Sequence, residues 1–305
     1  MTRRLNWIML LLILAIGLPY YWFLLDNSGA ALPAKPITIA ELRRLAAAIP
    51  GEAPYAVEAE RAAFRRLPGN LMVAGSGMKR KLVGYMAFRL LVRGGRSVMI
   101  ESGITSAVAA ASSAEQFNLS AQARIDRELD QAGMILVTHE HPDHLGALAA
   151  HGGSALQQAW LNPGQVPPAA MAAKLQWNGP VPPPRITGQG PQAVAPGVVV
   201  IPAPNSHTPG SQLIYVRLSD GHELLFAGDN SSFAQNWQEL RGRSRLVETW
   251  FAPENRAEVF AWLKTIRALK RQAPGLLVVP GHDWEWLENP ANAPGVRIGF
   301  SAQGR

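Results

Sequence analysis

The longest apolar run opens the chain. No charged residue occurs from Trp7 to Leu25, while Arg3 and Arg4 precede the run and Asp26 closes it. At ~1.5 Å per residue such a helix is about 28 Å long, close to the thickness of a bilayer core, so the pattern predicts a transmembrane helix. Tyr20, Tyr21 and Trp22 stand where an interfacial belt belongs. Two arginines ahead of the run place the N-terminus in the cytoplasm. The remaining chain is then expected to be anchored in the inner membrane and to face the periplasm, or to be secreted there if the small residues at 29–31 are a cleavage site. A buried core helix is the alternative.

Past the run, three segments are expected: an anchor or signal at 1–26, a tether with an N-terminal helix at 27–66, and one large domain at 67–305. Thr38 and Glu41 form a capping-box pattern, and the helix they open should run to Ile49 before Pro50-Gly51. From Leu71 the texture becomes that of strands. Residues 82–92 and 97–100 flank Gly94-Gly95 as a hairpin. Ser120 can cap a helix reaching Gln131, and residues 134–138 (MILVT) read as a short buried strand. The stretch 162–197 is rich in Pro and Gly, with one short helical candidate at 169–175. It reads as an irregular surface excursion, a lid over a site being the alternative. Strands return at 198–201, 213–218 and 223–227. Pro253 opens a helix with Val259, Phe260, Leu263, Ile266 and Leu269 on one face, and 276–279 is a last buried strand. Strands alternating with helices predict a layered α/β domain.

Composition narrows the chemistry. The 305 residues are 48% hydrophobic, enough for a sizeable core, and contain no Cys. That removes disulfides, thiolate metal sites and a cysteine nucleophile. Lys and Arg number 29 against 22 Asp and Glu, a net +7, but only 17% of the chain is charged. The basic residues, among them Lys79, Arg80, Lys81, Arg241, Arg243 and Arg245, are scattered, which reads as solvated surface and argues against a nucleic-acid partner. Any metal site must be built from His, Asp and Glu.

Of the seven histidines, three fall in six residues: His139, His141 and His144, with Asp143 among them, directly after the MILVT strand. In an extended segment His139 and His141 project to the same side, and Pro142 then turns the chain so that Asp143 and His144 reach a second point nearby. One loop can thus serve two adjacent metals, and imidazole with carboxylate suits Zn, Mn or Fe. His207, Asp229 and His282 each follow an apolar strand and a small or Pro residue. His151 and His222 fall outside this pattern and read as surface residues; Asp283 either supports His282 or is solvated.

These residues resemble the motifs of the metallo-β-lactamase-fold superfamily of metallohydrolases over roughly residues 70–285. The resemblance implies a four-layer αββα sandwich with a dinuclear site at the edge of two sheets. By position, His139, His141 and His207 would hold one divalent metal ion, Asp143, His144 and His282 a second, and Asp229 would bridge them. The implied cofactor is two zinc ions, with Mn or Fe as alternatives, activating a shared hydroxide that Asp143 helps to orient. The family's first motif usually carries Asp after a hydrophobic strand. Here Glu101 stands there, and is assigned the task of orienting ligand histidines.

A small-molecule ester, lactone or phosphodiester is the substrate class that follows. The bridging Asp229 resembles the glyoxalase II-like and lactonase-like branch rather than true β-lactamases. Lactonase-like members place a Tyr shortly after that Asp, whereas Asn230, Ser231, Ser232 and Phe233 follow here. The basic C-terminal extension of glyoxalase II-like members is also missing. Trp284 and Trp286 either line a pocket for an acyl substrate or pack in the interior. The alternatives are a mononuclear iron oxidoreductase on the same scaffold, a β-lactam hydrolase and a non-catalytic metal-binding protein.

Overall fold

The computed structural model describes residues 3–29 and 32–301. Two sheets face each other. One contains β1 (Ala56–Pro68), β2 (Arg80–Leu91), β3 (Val98–Ile100), β4 (Gln116–Phe117), β5 (Met134–Leu136) and β11 (Val296–Ile298). The other contains β6 (Gln192–Ala195), β7 (Val198–Pro202), β8 (Gln212–Arg217), β9 (Glu223–Gly228) and β10 (Leu277–Pro280). Their orders are β11-β1-β2-β3-β5, with β4 on β1, and β10-β9-β8-β7-β6.

The period-two alternation of side chains explains why both faces of each sheet are covered. Met86, Phe88, Leu90, Ile100 and Leu136 point inward and meet Val198, Val200, Ile214, Val216 and Phe226 in one core. Phe88 and Phe226 meet edge to face with centroids 4.9 Å apart. The alternate positions Tyr85, Ala87, Met99 and Ile135 pack under the helix Leu119–Gln131. On the other side Val199, Ile201, Leu213, Tyr215 and Leu225 pack under the helices Ile39–Ala46 and Arg256–Gln272. The result is the αββα sandwich expected from the motifs.

Several expectations need correction. The strand β1 runs across the expected boundary at 66 and 67, pairing with β2 from Ala56 to Pro68. Its polar residues hid it, because Glu58 and Glu60 are buried rather than solvated. The helix expected to reach Ile49 ends at Ala46, although Thr38 does cap it by accepting from the Glu41 N–H. The helix Leu119–Gln131 is capped by Asn118, not Ser120, and Arg256–Gln272 begins after its cap Asn255, past Pro253. The strand β11 follows β10 and pairs parallel with β1. Trp284 is buried in the inter-sheet core, with Trp286 packed against it, which is the packing alternative. Asp283 caps the helix Trp284–Leu287 instead of supporting His282.

The N-terminal helix Arg3–Tyr20 continues into a π-helical turn, Tyr21–Leu25. These 23 residues are long and apolar enough to cross a membrane, and none of the apolar window is covered by the rest of the chain. Of the small residues at 29–31, Ala30 and Ala31 lie outside the described residues.

Candidate metal centre

Two parallel strand pairs aim their ends at one point. In the first sheet β3 and β5 run together, with Ile100 opposite Leu136; in the second β9 and β10 do, with Pro280 opposite Gly228. Glu101, the loop 138–144, Asp229 and His282 therefore leave their strands on the same edge of the sandwich, where such folds place their sites. The loop between β7 and β8 adds His207. The junction at Gly228 is tight: φ is +50°, and a Cβ there would sit 2.6 Å from the Thr138 side chain. Only glycine lets Asp229 approach the histidine loop this closely.

All seven expected metal-capable side chains converge. His139, His141, His207 and Asp229 form one set and Asp143, His144 and His282 another, each with ligand atoms within 4.8 Å of one another. His141 Nδ1 lies 3.0 Å from His139 Nε2 and 3.1 Å from His207 Nε2. His144 Nε2 and His282 Nε2 are 3.3 Å apart. Asp229 spans the two sets, with Oδ2 3.4 Å from His207 Nε2 and Oδ1 3.1 Å from His282 Nε2.

The backs of the rings are held by other groups. His139 Nδ1 donates to Thr138 Oγ1 at 3.1 Å, and that hydroxyl donates onward to Glu101. His207 Nδ1 lies 2.7 Å from Glu254 Oε2 and 2.8 Å from Arg243 Nη1, and His282 Nδ1 donates to the Gly84 carbonyl at 2.8 Å. Glu101 Oε1 lies 3.2 Å from His144 Nδ1. These contacts fix the tautomers of His139 and His282 so that their Nε2 lone pairs turn toward the centre, where His207 Nε2 also points. Lone pairs facing one another at about 3 Å repel unless a cation lies among them, so the donor set fits divalent metals. Glu101 holds its place at a cost, since φ is +65° for a non-glycine residue.

Charge follows the same division. Burial, then the neighbouring His144 and His141, push His139 far below the usual imidazole range, and burial takes His141 down to about 3. Burial and the Arg243 charge do the same to His207. These rings are neutral near pH 7, which is the ligating form. Burial also opposes a charge on His144, but the Glu101 carboxylate outweighs it and holds this ring at about 9.

Four residues of the site were not legible in the sequence. Arg243 is buried, not solvated: its Nη2 lies 2.5 Å from Asp229 Oδ2, and its Nη1 3.1 Å from Glu254 Oε2. Burial alone would raise the Asp229 carboxyl, yet Arg243 and His282 hold it well below its ordinary value. Glu254 is pushed up to about 7 by burial. Glu140 ties the 139–144 loop to the His207 loop, accepting from Thr208 Oγ1 at 2.7 Å and the Gly210 N–H at 3.1 Å. Tyr85, on β2, has its ring centroid 5.8 Å from that of His282, and its hydroxyl is buried beside Ser112. Only Tyr85 left a signal, its even spacing from Ala87 on the outer face of a strand.

Beyond the metal-capable groups opens a cavity of about 580 Å³, walled by Leu67, Leu71, Met72, Val83, Val108 and Phe251 and floored by His141, Asp143, Asp229, Arg243 and His282. Tyr85 and Arg65 border it. His151 pairs with Asp130 and His222 with Asp220, both away from this centre.

The model of the metallo-beta-lactamase superfamily matches residues 89–282, and the chain belongs to that superfamily. A quorum-quenching N-acyl homoserine lactone lactonase superposes with a TM-score of 0.58 at 16% identity, covering 77% of this chain and 95% of its own. An N-acyl homoserine lactone hydrolase, solved with N-hexanoyl-L-homoserine at its catalytic metal centre, gives 0.56 at 16% over 76% and 95%. A probable metal-dependent hydrolase from Staphylococcus aureus gives 0.57 at 10% over 77% and 91%. At these identities the likeness is one of fold. No curated protein is matched by the sequence.

Proposed function

We propose that this chain is a metal-dependent hydrolase of an ester or lactone with an apolar acyl part, using two divalent cations, zinc before manganese or iron. The observation that carries the reading is Asp229. Each of its carboxylate oxygens faces a different histidine set, at the floor of an apolar cavity. The fold's lactonase neighbours support the bond class, and the apolar wall favours an acyl ester over a phosphodiester.

Two bound cations would acidify water and stabilise negative charge developing on the substrate. The chain's own residues do the rest. Asp143, whose side chain is 26% exposed to the cavity, takes the proton from the attacking water and returns it to the leaving oxygen. Tyr85 borders the cavity and, on turning its hydroxyl from Ser112, donates to the substrate's carbonyl oxygen, in the role of the tyrosine that lactonase-like members carry after the bridging Asp. At that place here Ser232 accepts from Arg243 Nη2 and donates to Asp229, so it serves the carboxylate rather than the substrate. Arg243 and Glu254 hold Asp229 and His207 in place. Water is added across the acyl–oxygen bond, giving an acid and an alcohol.

The test joins elemental analysis with a panel of p-nitrophenyl esters, lactones, bis-p-nitrophenyl phosphate and nitrocefin. Two zinc ions per chain and hydrolysis of esters or lactones are the expected result. One iron per chain, or hydrolysis of nitrocefin alone, would replace the reading.

A further inference from the structure

The N-terminal apolar helix and the mouth of the cavity are built against each other. The Phe23 ring packs on Trp250 with centroids 5.0 Å apart, and the Arg245 guanidinium lies 4.1 Å over the Trp22 ring. The Gly75 N–H donates to the Leu24 carbonyl at 3.0 Å, and Asn70 Nδ2 to the Tyr20 hydroxyl at 3.4 Å. The residues just past the helix are tied in as well. Asp26, only 7% exposed, pairs with Arg245 at 2.6 Å, and Asn27 exchanges hydrogen bonds with Leu240 and Gly242. Removal of this segment would take the Asp26 carboxylate from Arg245 and the Asp26 and Ser28 carbonyls from Arg256.

This junction is also the rim of the cavity. Leu71, Met72, Val247 and Phe251 wall the cavity and flank the segments that grip the helix. Around the helix end an exposed collar gathers Tyr21, Trp22, Met78, Trp250 and Phe251, the last 75% exposed to solvent. Lys79 follows Met78 and is exposed. Aromatic and apolar side chains with a neighbouring cation are the composition of a bilayer interface, where anionic headgroups meet acyl chains. The helix itself, 23 residues and about 35 Å, exceeds a hydrocarbon core of about 30 Å, so its last turn lies at headgroup depth.

We propose that the helix is retained as an anchor and presses the cavity mouth, with Trp250 and Phe251, against the bilayer surface, so that the substrate is an acyl-chain amphiphile entering from the membrane. The substrate half rests on the hydrolase reading above; the membrane-facing mouth does not.

The experiment uses the full-length, metal-loaded protein in nanodiscs of phosphatidylcholine and phosphatidylglycerol. Because the chain has no Cys, Phe251→Cys and Asp220→Cys each give a unique labelling position. Asp220 lies in the β8–β9 turn, at the opposite end of β9 from Asp229. A nitrobenzoxadiazole label at 251 is expected to be quenched by brominated lipids, and one at 220 is not. Trp250→Glu is expected to slow hydrolysis of p-nitrophenyl palmitate embedded in the disc by about tenfold while leaving p-nitrophenyl butyrate in water unchanged. An unquenched label at 251, or equal loss on the two esters, overturns the proposal. Quenching at 251 without hydrolysis of either ester by the unmutated chain supports the membrane-facing mouth and retires the hydrolase reading instead.

Discussion

Chemistry at the residue scale separates what the motif encodes from what only the fold supplies. The seven metal-capable side chains were readable because they lie on loops that leave apolar strands, and strand ends in such sheets meet at one edge. Arg243 was not readable: Gly242-Arg243-Ser244 looks like any polar loop, and its burial depends on contacts with distant Asp229 and Glu254. Tyr85 tests the proposed substrate contact. Tyr85→Phe should lower kcat about 100-fold with little change in KM, since the lost donor acts on charge that develops during reaction. Glu254→Ala removes the acceptor that orients His207, and metal titration should show affinity reduced about 10- to 100-fold. His144 predicts a pH dependence. Its folded pKa is raised to about 9, so the metal-free ring is charged at neutral pH and must lose a proton to ligate. Metal affinity of its set should therefore rise about tenfold per pH unit up to that value, with proton release measurable by calorimetry in buffers of different ionisation enthalpy.

The elements carry a different lesson. Strands with uniform apolar texture were legible, whereas β1 was not, because Glu58, Glu60, Arg61, Arg65 and Arg66 interrupt its apolar residues. Glu58 and Glu60 are buried and paired: Arg89, fully buried, reaches Glu58 Oε2 from Nε at 2.9 Å and Glu128 Oε1 from Nη1 at 2.6 Å, and donates to the Ser301 carbonyl at 2.7 Å. Arg124 from the helix Leu119–Gln131 meets Glu60 at 2.8 Å. Polar alternation thus marks a covered face here, and only the partner elements reveal it. Replacing Arg89 by Ala would leave Glu58 and Glu128 without that charge in the interior. Denaturant unfolding should show a loss of about 3–5 kcal/mol, with the catalytic residues untouched. The three-residue strand β11 was missed for a simpler reason: its pairing with β1 is long-range, and three residues carry no periodicity.

At the scale of the whole molecule, the sandwich is complete without its metals. The inter-sheet core and the two outer helical layers are continuous apolar clusters that do not pass through the site. Treatment with a strong chelator should therefore abolish hydrolysis while far-UV and near-UV circular dichroism persist, and zinc should restore turnover; loss of both spectra on chelation would refute this. A guanidinium locked against Asp229 lets the polypeptide bury that carboxylate before any cation is on board. Cation loading can then come last, after folding, onto an organised receptacle rather than an unfolded precursor.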